Sequence, residues 1–334
     1  MLLFISPKFR RNLPLRLCLF AKAAGVRKEP FSMHRRIIAL LLCLLVLFPA
    51  FALADSSPRE ITPLSPEEIP EPTEGMHHYL LACTDTWDGD PNNLGNTDGV
   101  VLVTLDTVQR RIIFCTLTRE MLIRRPDGAI GRFTYIAKNY GIDALLDIVG
   151  THFGIKVDQY AIFCMNNIQD IIDAMGGVTL TVTDAEADYL NRYRIARDAT
   201  TPSMAKAGTY LFGGHAAVIY MRIRKVGGDG DAGRTRRIRT VLTTLTEKYA
   251  DATLDDALRI LGVVSDSLVA TNMKLDDMMT AVGYALELRG VTPEGYQLPP
   301  RDCLSPITYV GMQTYQVDFD RCREYIRDIL NPAP

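Results

Sequence analysis

From residue 76 onward, apolar positions along the 334-residue chain alternate between short runs and helical stripes. "HYLLAC", "VVLVTL" (Val100–Leu105) and "RIIFCTL" (Arg111–Leu117) are strand-like, and the short polar link between the last two predicts a hairpin or adjacent pairing. Ile142, Leu145, Leu146, Val149 and Phe153 then share one helical face. "QYAIFCM" predicts a further strand, and the helix that starts near Asn167 stops at Gly176-Gly177, where glycine takes the left-handed conformation. "VTLTV" is the next strand. "YMRIR" alternates at period two, which puts Arg222 and Arg224 on one strand face and Met221 and Ile223 on the other. A helix predicted from about Ala232–Gly233 carries the stripe Ile238, Val241, Leu242, Leu245 and Tyr249. "TLDDALRIL" opens with a Thr253/Asp256 capping pattern, and "KLDDMMTAVGYALEL" is amphipathic. A strand pair and the helix "RCREYIRDIL" close the chain. Strands alternating with helices predict an α/β layered domain around a mixed sheet.

The beginning of the chain follows other rules. Residues 33–54 run from Arg35 and Arg36 through an apolar stretch to Ala52-Leu53-Ala54, the layout of a secretory signal, with an uncleaved anchor as the alternative. Residues 1–32 read as an upstream extension, because Met33 begins a complete signal by itself. Residues 55–75 hold five Pro and six acidic residues without apolar periodicity, which predicts a disordered stalk. Residues 76–334 are the folded domain with a strand–helix tail.

Without residues 1–54 the chain carries 28 Lys/Arg and 38 Asp/Glu, a net charge of −10, which argues against nucleic acid as a partner. Of the five cysteines beyond the stalk, Cys83, Cys115 and Cys164 sit in apolar runs, and Cys303 and Cys322 are placed for a bridge in an oxidising exterior. "GDGDAG" (residues 228–233) imitates a dinucleotide loop, but Asp229 and Asp231 would repel a pyrophosphate. "DGDPNNLGNTDG" begins like a calcium loop and fails at Asn93 and Gly99.

Against this acidity, Tyr220–Thr240 holds seven Lys/Arg and two Asp. Arg234, Arg236 and Arg237 fall in the first turns of the predicted helix, where cations oppose the helix dipole. Arginines from a strand end converging on a positive helix terminus describe an oxyanion cradle. Asp85 and Asp98 flank the first two strands at an end where α/β folds place ligands. Two carboxylates facing arginines suggest a hard divalent cation bridging to phosphate oxygens. Arg119 is a third basic group at a strand end.

The order of these pieces resembles the LytR–CpsA–Psr family of cell-wall ligases. "CTDTW" matches the family's Gly-x-Asp-x-Arg at Asp85, with Cys83 and Trp87 in place of Gly and Arg. "NTDG" keeps Asp98 of Arg-Ser-Asp-Thr, and "TREM" keeps Arg119 of Pro-Arg-Asp-Thr with Glu120 as the acid. "RFTYIAKNYG" supplies Arg132. "YMRIRKVGGDGDAGRTRRI" fits the terminal signature at Tyr220, Arg222, Arg224, Asp231, Arg234 and Arg237, with Ile238 for its Gln. The resemblance covers Tyr79 to Ala250, with a similar tail beyond. It implies a three-layer α/β/α domain around a mixed central sheet, outside the cytoplasmic membrane. Such proteins transfer a phosphorylated glycopolymer from a polyprenyl-pyrophosphate carrier to a peptidoglycan hydroxyl, using Mg²⁺ or Mn²⁺. In that reading Asp85 and Asp98 hold the metal. Arg119, Arg222, Arg224, Arg234 and Arg237 neutralise the leaving diphosphate, while Arg132 and Tyr220 bind substrate. Asp231 either orients an arginine or accepts the acceptor's proton. The carrier's tail needs an apolar tunnel beside the helices at 142–153 and 168–175. The departures at Trp87, Asn96, Gly99 and Ile238 remove polar groups from the pyrophosphate's surroundings, and their alternative outcome is a non-catalytic binder of polyprenyl phosphates or anionic wall polymers.

Overall fold

The computed structural model describes residues 57–192, 204, 206–228 and 230–332. The expected extension (1–32) and signal or anchor (33–54) lie outside them. Six strands form the central sheet: β1 (Met76–Thr84), β2 (Thr97–Asp106), β3 (Arg111–Leu117), β6 (Gln159–Phe163), β9 (Ala270–Thr271) and β10 (Glu294–Leu298), in the order β10-β3-β2-β1-β6-β9. β1, β2 and β3 pair antiparallel, whereas β10 joins β3 and β6 joins β1 in parallel, so the sheet is mixed as the pattern predicts.

β2 is central and covered on both faces, which is why it reads as an unbroken apolar run. Leu80, Val100, Leu102 and Ile113 pack on one face with Leu145, Val149 and Phe153 of α1 (Ile136–Phe153) and Ile326 of α8 (Phe319–Leu330). Tyr79, Val101, Val103 and Phe114 pack on the other face with α5 (Gly230–Lys248) and α7 (Leu275–Glu287). These are the three layers expected. A satellite core joins α2 (Met165–Ala174), α3 (Asp184–Arg192), α4 (Gly214–Met221) and α5 to a separate two-stranded sheet of β7 (Val178–Val182) and β8 (Gly208–Phe212). Gly176 and Gly177 end α2 at positive φ, and a Cβ on Gly177 would lie 2.6 Å from the Phe212 carbonyl oxygen. α6 (Leu254–Asp266) starts at the predicted Thr253/Asp256 capping box. The short strands β4 (Leu122–Arg124) and β5 (Ile130–Arg132) precede α1, and the hairpin β11 (Leu304–Tyr309)–β12 (Met312–Val317) precedes α8.

Three expectations are corrected. Residues 57–75 lie against the domain instead of forming a free stalk. Ile61 is buried, the Leu64 amide donates to the Thr151 carbonyl at 2.8 Å, and Arg59 is bonded to Gln316 through its backbone. One buried apolar anchor and a few main-chain bonds fasten a segment whose average composition is that of a free chain. Next, "YMRIR" is not a strand: Tyr220 and Met221 finish α4, and Arg222 keeps a helical φ/ψ of −88°/−3°. Ala216, Ala217, Val218 and Tyr220 bury one continuous helical surface, so the period-two reading began inside a helical stripe. Finally, Cys303 and Cys322 are both free and buried in the main core.

Candidate functional site

Antiparallel pairing of β2 with β3 sets the first residues of β2 beside the segment that leaves β3. Asp98 enters from one strand and Arg119 from the other, and an Arg119 Nη1 donates to Asp98 Oδ1. The first turns of α5 bring Asp231 and Arg234 to the same place. Arg234 Nη2 lies 2.9 Å from Asp231 Oδ1 and its Nη1 lies 3.5 Å from Asp98 Oδ2. Glu120 ties in the rest: its carboxylate is 3.1 Å from Arg119, 2.6 Å from Arg132 and 3.6 Å from Arg224. Five guanidiniums, counting Arg222, thus surround three carboxylates, leaving a positive surplus of two.

The cluster faces two hollows. Asp98, Arg222 and Arg234 line a cavity of about 170 Å³ whose other walls are apolar, among them Ile168, Ile171, Val241 and Leu242. Glu120, Arg132, Arg224 and Asp231 line a polar cleft of about 660 Å³. Arg119 spans the divide, because it holds Asp98 on one side and Glu120 on the other. An apolar cavity therefore lies beside α2, whereas the stripe at 142–153 is ordinary core on the opposite face of the sheet.

Several buried polar atoms here lack hydrogen-bond partners: Arg132 Nε, Arg234 Nε and Asp231 Oδ2. Arg119 Nε has only Asp231 at 3.6 Å, beyond hydrogen-bond reach. Burial pushes the Arg234 pKa down, with Asp231 opposing that shift. Each unpaired buried group costs about 1–3 kcal/mol, so a fold that keeps several in one place is holding donors ready for an anion.

Other predicted residues sit differently. Arg237 is buried away from both hollows, with Nε 2.7 Å from Glu186 Oε1 and Nη1 donating to the Ile223 carbonyl at 2.9 Å. Burial alone would raise the Glu186 carboxyl, but the Thr183 amide and Arg237 hold it below its usual range. Arg237 therefore fastens the loop that carries Arg222 and Arg224. Tyr220 lies beneath the Arg237 guanidinium, 5.8 Å from ring centroid to Cζ, inside the satellite core rather than against a substrate surface. Arg222 rests over Trp87 at 5.7 Å, and Trp87 also stacks loosely on His215.

The two carboxylates expected to hold a metal are each engaged by other partners. Asp85 accepts from the Asn96 amide at 2.9 Å and from Asn96 Nδ2 at 2.7 Å, while Asp98 faces Arg119 and Arg234. Among the described residues no group of three His, Cys, Asp or Glu side chains is arranged to hold a metal ion. The donor set does not fit a resident cation; it fits only one whose remaining ligands come from a substrate's phosphate oxygens.

Sequence reasoning missed the role of Glu120 as the link between three arginines, although its place beside Arg119 was the available signal. The departures lie close to this cluster. Gly99 and Ile238 face each other at the apolar cavity, where a Cβ on Gly99 would lie 3.4 Å from Ile238 Cδ1, and Cys83 lines the same wall. Burial pushes the Cys83 thiol up to about 12. Cys83, Gly99 and Ile238 extend the apolar wall of that cavity.

A model of the LytR_cpsA_psr family matches residues 63–323. Biofilm regulatory protein A of Streptococcus mutans is 26% identical over 231 residues, covering 66% of this chain and 55% of that protein. The polyisoprenyl-teichoic acid–peptidoglycan teichoic acid transferase TagU of Oceanobacillus iheyensis is 26% identical over 211 residues, 61% of each chain. The chain thus spans under two thirds of the length of these relatives. The solved structure "TagT bound to LI-WTA" superposes with a TM-score of 0.62 at 20% identity over 80% of this chain and 94% of that one, and Bacillus subtilis TagV with 0.60 at 16% over 78% and 100%. With the matched span covering most of the sequence, and the same fold in these structures, the chain belongs to the LytR_cpsA_psr family.

Proposed function

We propose that this protein is a phosphotransferase that moves a phosphorylated glycopolymer from a polyprenyl-pyrophosphate carrier to a peptidoglycan hydroxyl, on the outer face of the cytoplasmic membrane. One observation carries the reading: Asp98, Arg222 and Arg234 form the meeting point of a guanidinium cluster and an apolar cavity. A diphosphate head with a hydrocarbon tail matches both surfaces at once. The names of its relatives, polyisoprenyl-teichoic acid–peptidoglycan teichoic acid transferases, support the same substrate class.

In the proposed step, the acceptor hydroxyl oxygen attacks the phosphorus that bears the glycan. A P–O bond forms there, the bridging P–O bond of the diphosphate breaks, and polyprenyl monophosphate leaves with the bonding electrons. Arg119, Arg222 and Arg234 neutralise the charge that grows on the departing phosphate. Asp231 takes the acceptor's proton: it is buried, its Oδ2 is unpaired, and it lines the polar cleft. Glu120 holds Arg132 and Arg224 toward the glycan-bearing phosphate. A divalent ion carried in by the diphosphate would find Asp98 at the junction and would supply further charge neutralisation.

The test is turnover by the purified chain with a glycan-linked polyprenyl pyrophosphate and a peptidoglycan oligosaccharide. Release of polyprenyl monophosphate with formation of a phosphodiester-linked product is expected, reduced about 10²–10³-fold in Arg119→Ala. Lipid binding without monophosphate release would point to the non-catalytic binder.

A further inference from the structure

Residues 57–75, expected as a free stalk, are tied to the closing hairpin by one buried side chain. The Arg59 amide donates to Gln316 Oε1 at 2.7 Å, and Gln316 Nε2 donates to the Arg59 carbonyl at 3.1 Å. Arg59 itself is exposed, so what Gln316 grips is main chain. Gln316 is 7% exposed, and a buried amide left unpaired is destabilising, so segment and hairpin depend on each other. Within residues 57–75 only Ile61 is buried, which leaves specific bonds rather than apolar burial to seat the segment.

The same strand grips the arginine cluster. Gln316 lies on β12 two residues from Thr314, so their side chains share a face of the strand. The Thr314 hydroxyl donates to the Glu120 carbonyl, and the Tyr315 amide donates to the same oxygen at 3.1 Å, which occupies both of its lone pairs. A bridge between Met121 and Tyr315 continues this seam, and Thr314 and Tyr315 wall the polar cleft. The hairpin thereby fixes the main chain of Glu120, whose carboxylate reaches Arg119, Arg132 and Arg224 at 3.1, 2.6 and 3.6 Å. Arg59 and Gln316 line neither hollow, yet an unbroken series of bonds runs from them to three guanidiniums.

We propose that Gln316 is a positioning residue for the transfer reaction: through it the main chain at Arg59 seats the hairpin that holds Glu120, and with Glu120 the guanidiniums of Arg119, Arg132 and Arg224. The assignment rests on the transferase reading above and adds to its machinery residues that touch no substrate. The lever is short. Ion pairs of this length tolerate little displacement, and a misplacement of about 1 Å at a reacting centre costs about 10²-fold in rate. Once the grip is lost the hairpin relaxes, the Glu120 peptide turns, and the arginines lose their alignment on the phosphate under attack. Among the described residues Arg222 and Arg234 make no ion pair with Glu120, so lipid binding survives a change that turnover does not.

The experiment compares the full chain with two variants. Gln316→Leu keeps the bulk of the side chain and loses both bonds; Arg59→Pro removes the donating amide and leaves the hairpin's sequence untouched. Lys156→Ala is the control, because it cuts the exposed ion pair with Glu71 of the same segment and lies at neither hollow. Three quantities are read at one temperature well below the melting transition: kcat with a glycan-linked polyprenyl pyrophosphate, Kd for the sugar-free lipid pyrophosphate, and the Nε–Hε NMR resonances of Arg119 and Arg132. In both variants kcat is expected to fall about tenfold or more and both resonances to shift, with Kd within about twofold of the parent. Lys156→Ala should match the parent in all three. A merely structural loss would lower the melting temperature and leave kcat and the resonances unchanged. Parent-like kcat or unmoved resonances in both folded variants, or an equal fall in Lys156→Ala, overturn the proposal; should one variant fail to fold, the other decides. Absence of turnover by the parent strikes the transferase reading instead, and the resonances still decide whether Gln316 sets the arginines.

Discussion

Arg234 and Arg237, three residues apart on α5, have opposite fates. The first is buried with an unpaired Nε at the mouth of the apolar cavity; the second is satisfied by Glu186 and the Ile223 carbonyl. Removing one partner of a buried ion pair costs about 3–5 kcal/mol, so Arg237→Ala is expected to lower the urea midpoint markedly. Arg234→Ala removes the 2.9 Å partner of Asp231 but also a desolvated cation with unmet donors, so its urea midpoint should fall less than that of Arg237→Ala while lipid-pyrophosphate binding fails. Equal losses of stability in the two variants would contradict the division of labour. Sequence spacing placed both arginines in the first turns of one helix, but it contained no sign that Glu186, about fifty residues earlier, captures the second. The carboxylates repeat the lesson. Asp85 and Asp98 looked like a pair because both flank strands, yet Asn96 occupies both oxygens of Asp85. The substrate-free chain should accordingly show no stoichiometric Mn²⁺ site by electron paramagnetic resonance; one tight ion per chain would restore the metal pair.

At the scale of elements, the strands and amphipathic helices were legible wherever burial imposed one clean period, as in β7 and α8. The reading failed where two periods overlapped. "YMRIR" alternates locally, but Tyr220 belongs to the buried stripe of α4, and only packing on the satellite core shows it. The link from β4 to α1 shows a different dependence. The Arg124 amide donates to His152 Nε2 at 3.0 Å, which leaves Nδ1 to donate to the Ile148 carbonyl at 3.1 Å. This neutral ring is buried, and burial pushes its pKa down to about 4; burial does the same to His78. Unfolded imidazoles take protons below their ordinary value of about 6.5, whereas these two resist until about 4. Their stabilisation is complete above that ordinary value and is lost as pH falls through the window between the two values. The melting temperature should therefore fall between pH 7 and pH 5, and the fall should be smaller in His152→Gln. A flat profile over that range would contradict the neutral, buried assignment.

Across the whole molecule, function follows from where the layers leave space. The sheet's face against α1 and α8 carries the main core, while its other face, where α2, α4 and α5 meet β1 and β2, leaves the apolar cavity beneath the arginines. Composition and spacing foresaw a converging cationic site and an α/β layered frame, and the family resemblance implied its three layers. They could not foresee which helix lines the cavity or that the closing hairpin walls a second hollow, because both depend on contacts between residues far apart in sequence. Filling the cavity by Val241→Trp should abolish binding of long-chain polyprenyl pyrophosphate while sparing a tail-less diphosphate, as measured by calorimetry. The most direct test of the account is a crystal structure with a polyprenyl pyrophosphate bound. The diphosphate is predicted within hydrogen-bond distance of Arg119, Arg222 and Arg234, with the hydrocarbon running past Ile168, Ile171 and Leu242. A diphosphate lodged away from these arginines, or a tail lying outside that cavity, would contradict it.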